Sequence, residues 1–330
     1  MDALSEVLRA IRLDSAIYIN AELSAPIGLA SPDSRLLAPI LARGGDHVII
    51  FHLVRDGRAY VEMEDGERAV LSPGDVVSFP HGHGHVIGSG EACAPIDVRA
   101  ALPGVLERRF ELLHAGGGGA RTRLICGFLS CDPQLGQAFL GGLPRLIKIN
   151  IREDPSGHWL ENSLEFSVAQ AARGEAGADA TVAKLSEAMF AETLRRYLRH
   201  LPQDQTGWLG GARDPDIGRA LTLLHQRYAD PWTVADLAKE IGLSRTVLTE
   251  RFGHFLGEPP MTYLTRWRLA LGARALTTTS RGVAQIAAET GYESEAAFNR
   301  AFKREYGLPP ARYRRDKAGQ QAPESSGGQR

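Results

Sequence analysis

The stretch RFGHFLGEPPMTY, Arg251 to Tyr263, returns fifty residues later as AFKREYGLPPARY, Ala301 to Tyr313. Each copy places Phe, four residues, Gly, one residue, Pro-Pro, two residues and Tyr in that order. The Gly suits a left-handed residue that ends a helix. The Pro pair forces the chain off that axis and starts the next helix, where proline is tolerated in the first turn. A chain that writes this punctuation twice at one interval is building the same helical unit twice.

The residues before each copy complete the unit. In TVADLAKEIG, 233–242, Val234, Leu237, Ala238 and Ile241 share one stripe, with Thr233 placed as N-cap and Gly242 as terminator. Ser244 then caps SRTVLTERFGHFL, whose Val247, Leu248, Phe252 and Phe255 are expected to face inward and whose Arg245, Thr246, Thr249 and Glu250 face out. The second unit reads VAQIAAETG, 283–291, and then SEAAFNRAFKREYG, 294–307. Ala297, Phe298, Ala301 and Phe302 form its buried stripe, with Glu295, Ala296, Asn299, Arg300 and Lys303 outside. Between the units, 261–279 reads as one long helix, a stiff spacer. Two helices presented about 34 Å apart would enter successive major grooves on one side of a duplex.

This duplicated pattern resembles the AraC/XylS family of bacterial transcription regulators over residues 215–315. The runs DLAKEIGLSRTVLTERF and GYESEAAFNRAFKREYGLPPARYR carry the resemblance. It implies double-stranded DNA as partner, RNA polymerase as a further one, and a homodimer. It also implies base readout by Arg245, Thr246, Thr249 and Glu250 in one unit and by Glu295, Ala296, Asn299 and Arg300 in the other. Asn reads adenine, Arg guanine, and Glu accepts from cytosine N4. Glu250 has a second reading, as a solvated residue or one paired with Arg251. Arg266, Arg268, Lys303, Arg304, Arg312 and Arg314 are the candidate phosphate contacts. Charge agrees in sign: residues 215–316 hold 15 Lys+Arg against 11 Asp+Glu, in a chain of net charge −1.

The first half has a different texture. Residues 44–102 are short β-branched runs cut by turns, HVIIFHLV, RDGRAYVEM, EDGERAVL and SPGDVVSFP, the pattern of an antiparallel sandwich or barrel. Gly74, Pro80, Gly82 and His85 fall on G-x5-P-x-G-x2-H-x3-N, with Ser89 where Asn is usual, so this region also resembles the second cupin motif. A cupin-like sensor barrel for a small-molecule effector is what that likeness implies. His47, His52, His81, His83 and His85 are the candidates for a ligand or metal site. The first cupin motif is degenerate, its Glu position falling on Ile50. His47 and His52 lie an odd number apart, on opposite faces of a regular strand, so at most one joins His85. A metal centre needs three or four convergent ligands. The other readings are turn histidines at a rim, with an organic ligand or nothing in the barrel. Cys126 and Cys131, five apart in LICGFLSC, are either redox-sensing or ordinary buried thiols; a disulfide would need the strand to break at Gly127.

The expected plan is multidomain β plus α: a cupin-like barrel over 1–150, a helical hairpin over 151–201 that closes a dimer or docks on the barrel, and a linker over 202–214. The tandem helix-turn-helix follows over 215–316, then a disordered tail over 317–330. The chain has 330 residues, and no apolar run approaches the ~20 residues that span a bilayer. With three cysteines and no signal-type N-terminus, a cytoplasmic protein is expected. The competing functions are a metal-dependent cupin enzyme with an accessory helical domain and a non-enzymatic adaptor.

Overall fold

The computed structural model describes residues 2–11, 13–41, 48–99, 102–107, 111–131, 140, 142–202 and 205–321. The elements are α1 (Ala3–Ile11), β1 (Leu13–Ser24), β2 (Ile27–Ser31), α2 (Ser34–Leu41), β3 (Val48–Asp56), β4 (Ala59–Met63), β5 (Arg68–Leu71), β6 (Asp75–Phe79), β7 (His85–Ser89) and β8 (Ile96–Asp97). There follow α3 (Leu102–Glu107), β9 (Leu112–Gly116), β10 (Arg121–Cys131) and β11 (Ile147–Asn150). The rest is helical: α4 (Pro155–Ala172), α5 (Ala178–His200), α6 (Trp208–Arg213), α7 (Pro215–Gln226), α8 (Val234–Ile241), α9 (Arg245–Leu256), α10 (Pro260–Thr278), α11 (Val283–Glu289), α12 (Glu295–Tyr306) and α13 (Pro310–Gln321).

The strands form two sheets rather than one closed barrel. A six-stranded sheet runs β11-β6-β3-β10-β1-β9 and a five-stranded one β5-β4-β7-β2-β8. Alternation along β3 shows how they are used. Val48, Ile50 and Val54 face the core shared by both sheets, with Val61, Leu71, Ile87 and Cys126. Ile49, Phe51 and Leu53 alternate with them and are equally buried, as expected of a strand covered on both sides. The outer cover is the hairpin of α4 and α5, which lies on β1, β10 and β11 through α5. Its inward side chains include Leu160, Leu164, Val182, Met189, Phe190 and Leu194. The pair is also tied by charge: Arg196, 1% exposed, donates to Asp154 and Glu192 at 2.6 Å each. Of the two expectations for 151–201, docking on the β region is therefore realised, whatever its outer face does.

The β10 strand does not break at Gly127. A Cβ there would lie 2.2 Å from the Phe51 ring, so this glycine makes room for an aromatic on the neighbouring strand. Cys126 is a free, buried thiol among the core side chains. The Cys131 side chain lies outside the described residues, as does all of His47.

Grouping by contacts moves the expected boundaries. The β region with α4 and α5 forms one unit, Leu13–Cys131 plus Pro144–His200; Met1–Arg12, Asp132–Leu143 and Leu201–Arg330 form the other. Thus α1 is not part of the sandwich. It packs on α7, burying Leu4 and Val7. The segment read as a linker contains α6, whose Trp208, Leu209, Gly210 and Gly211 are buried. Its glycines look flexible in sequence, but a Cβ on Gly211 would sit 2.8 Å from Leu256; they allow close packing. The tail begins as helix through Gln321, and residues 322–330 lie outside the described set.

Candidate nucleic-acid interface

Both helix-turn-helix units are assembled by local backbone chemistry. Thr233 and Asp236 form a capping box at the start of α8, and Gly242 ends that helix at φ 78°. Ser244 accepts from the Val247 amide at 3.2 Å to start α9. Gly257, at φ 72°, ends α9, and Pro260 opens α10. The second unit repeats this with Ser294 accepting from the Ala297 amide at 3.2 Å and Gly307 at φ 73°, but α11 has Gly282 as its N-cap and so no side-chain cap. Satisfying these orphan amides fixes where α9 and α12 begin, and so which side chains project.

The projecting set is close to that expected. Arg245, Thr246, Thr249 and Glu250 on α9 are exposed, as are Glu295, Ala296 and Arg300 on α12; Asn299 is half-buried. Leu248 and Phe252, with Phe298 and Phe302, are fully buried beneath them. One correction concerns Val247, expected on the inner stripe. It is 40% exposed, beside Thr246, and adds an apolar patch to the outer face of α9. Arg251 does not pair with Glu250. Its guanidinium holds Asp214 at 2.6 Å, and also Asp216, fastening α9 to the start of α7.

The six basic candidates divide. Lys303, Arg304 and Arg312 are exposed, Arg312 standing 3.7 Å from Asp316. Arg266 pairs with Glu258 at 3.3 Å. Arg268 and Arg314 are not free for phosphate. The Arg268 guanidinium donates to the carbonyls of Tyr228 and Asp230, both at 2.6 Å, and burial lowers its pKa. Arg314 does the same to Leu276 at 3.0 Å and Arg281 at 2.5 Å. Each arginine braces the loop that leads into its own unit, Arg268 between α7 and α8, Arg314 between α10 and α11. Sequence reasoning counted their charge and missed their use, because the carbonyls they meet lie 33 to 40 residues away.

The histidines separate likewise. His81 and His83 sit half-buried in the turn between β6 and β7, rings 5.3 Å apart. His85 turns inward and meets His52, Nε2 to Nε2, at 2.9 Å. The His85 Nδ1–H donates to the His83 carbonyl at 2.9 Å, so its Nε2 accepts and the His52 Nε2–H donates. That leaves the buried His52 Nδ1 as an acceptor with no hydrogen-bond partner. Burial lowers the pKa of both, that of His85 to about 4, so both rings are neutral. Among the described residues no three His, Cys, Asp or Glu side chains converge, and Ile50, where the resemblance would put a glutamate, is a core side chain. A histidine pair bonded to itself does not match a three- or four-ligand centre. Burial pushes the Cys126 thiol up to about 12, which removes the thiolate that oxidants attack.

Comparison with known proteins agrees with this division. Residues 2–199 match the cupin family, and residues 237–316 match a helix-turn-helix domain. A putative AraC-like transcription regulator of Streptomyces lividans is 32% identical over 290 residues, 86% of this chain and 94% of that protein. The HTH-type transcriptional regulator AlkR of Acinetobacter baylyi is 29% identical over 95% of this chain and 99% of its own length. The HTH-type transcriptional regulator MtrA of Neisseria gonorrhoeae is 28% identical over 81% and 86%. With a cupin region ahead of two punctuated helix-turn-helix units, the chain belongs to the AraC-like, DNA-binding transcription regulators.

Proposed function

We propose that α9 and α12 each enter a major groove of one duplex and read bases through Arg245, Thr246, Val247, Thr249 and Glu250, and through Glu295, Ala296, Asn299 and Arg300. The supporting observation is that both sets lie on the outer faces of helices whose opposite faces are locked into cores. Lys303, Arg304 and Arg312 supply phosphate contacts; Arg268 and Arg314 do not. The cupin region holds a small-molecule effector, which acts through its differential affinity for two arrangements of the protein. The His52–His85 pair favours an organic ligand over a metal-dependent enzyme, and a cytoplasmic location follows from the DNA target. Among the described residues no helix is long and apolar enough to cross a membrane.

A homodimer fits the outer face of α4. Trp159 is 66% exposed and Phe166 61%; seven residues apart, they share a face two turns long. Asn162 and Ser163 lie midway, so a two-fold axis there sets each Trp159 against Phe166 of the partner subunit. Sedimentation of Trp159→Glu should shift toward monomer, and an unchanged profile would remove this interface.

DNA binding is tested by footprinting the full chain on the DNA upstream of its own gene at several salt concentrations. Two protected segments about one helical turn apart, with affinity falling as salt rises, are expected. One segment, or protection insensitive to salt, would refute the two-reader arrangement.

A further inference from the structure

Within the C-terminal unit the structure holds a cavity of about 750 Å³ that none of the base-reading side chains lines. It lies where the C-terminal ends of α9 and α12 approach each other over α10. Four features set its chemistry. Glu258 and Glu305 both line it, near enough that the Glu305 charge, behind burial, helps to raise the Glu258 pKa. The Glu258 side chain is only 14% exposed and has Arg266 beside it at 3.3 Å. The last residues of two helices open on it, Leu256 with Gly257 and Tyr306, and each helix C-terminus carries about half a unit of negative charge. Its walls include the aromatic rings of Phe255 and Tyr306.

These features share one preference. Two carboxylates and two negative helix ends outweigh the Arg266 guanidinium and the positive N-terminal end of α6, whose Gly207 and Trp208 also line the cavity, so the balance favours a cation, to which aromatic side chains add attraction. The volume is that of small-molecule sites in general. The geometry points to a binding site for a small planar organic cation, of the amidinium or aromatic ammonium class, that bridges the far ends of the two DNA-reading helices. Bound there, it touches the ends of α9 and α12 together and favours the spacing in which both readers engage, so it raises operator affinity without competing for the DNA face. The regulatory part rests on the two-reader function proposed above; the binding part does not.

The test titrates the full chain with benzamidinium chloride by calorimetry, at constant ionic strength and without DNA. Saturable one-site binding is expected. The Glu258→Gln, Glu305→Gln double variant should weaken it at least tenfold, whereas Arg266→Met should strengthen it by removing the competing cation. A damaged fold cannot produce that gain. Equal affinity in wild type and the double variant, no saturable binding, or weaker binding by Arg266→Met would each overturn the site. A second titration adds the footprinted operator. Coupling is reciprocal, so DNA should tighten benzamidinium binding by the same factor that benzamidinium tightens DNA binding. Binding with no such change would overturn the regulatory role and leave the two-groove reading standing, since footprinting judges that reading separately.

Discussion

The two helix-turn-helix units share turns, proline breaks and an edge-on Tyr–Phe contact, Tyr263 on Phe252 at 5.7 Å and Tyr313 on Phe302 at 5.3 Å, yet different side chains surround that contact. In the first, the hydroxyl of the repeat's tyrosine, Tyr263, also accepts from the Trp208 indole at 2.9 Å and donates to the neutral His225 at 2.7 Å. In the second, Phe298 and Tyr306 extend the contact into a cluster of four rings with Phe302 and Tyr313. Gly272 on α10 lets Phe298 come in close; a Cβ there would stand 2.9 Å from the ring. The lesson is that backbone punctuation fixes the shape of the unit, while any well-matched interior can support it.

The comparison predicts unequal responses. The largest should come from Phe298→Ala, which opens a cavity in the aromatic cluster and costs about 3–5 kcal/mol in urea unfolding; a cost below 1 kcal/mol would mean the cluster is loosely packed. Arg245→Ala and Arg300→Ala should each remove about 1–3 kcal/mol of base discrimination, in opposite halves of the footprint, with unfolding unchanged. Loss in the same half from both would merge the two readers into one. Tyr263→Phe removes the hydroxyl that meets the Trp208 donor and the His225 acceptor, for about 1–3 kcal/mol; a neutral result would show that water replaces the hydroxyl.

Acid should distinguish the units most gently. Burial holds the His225 pKa down at about 3, against an ordinary 6.5, so between those values the unfolded chain takes a proton that the folded one refuses. Its contribution is complete above pH 6.5 and declines as pH falls toward 3, by at most about 1.4 kcal/mol per pH unit. The second unit buries no histidine among the described residues. His225→Gln, which can still accept from Tyr263, should therefore lose less stability than wild type between pH 7 and pH 5. Parallel losses would assign the acid sensitivity elsewhere, for example to His52 and His85.

What sequence could convey follows the range of the interactions involved. Caps such as Thr233 and Ser294, left-handed glycines and Pro260 act within a few residues, and the expected units match. The strand runs of 44–102 are legible for the same reason, whereas His85 could be read either inward or at a rim, and its contact with His52, 33 residues away, is what turns it inward. Misreadings arose where long-range contacts decide. Arg268 and Arg314 serve distant carbonyls, Gly127 and Gly211 are small because a neighbour needs the space, and α1 finds its partner more than 200 residues away on α7. Two sheets and one barrel share the same alternation, so only pairing separates them.

One continuous helix, the 19 residues of α10, joins the two readers, and at 1.5 Å per residue it is about 28 Å long. A rod of that length has no slack with which to follow a change of angular phase. Five base pairs inserted between the two footprinted segments would turn one of them about half a revolution around the duplex axis, so that under the two-groove proposal the second helix would meet the wrong side of the DNA.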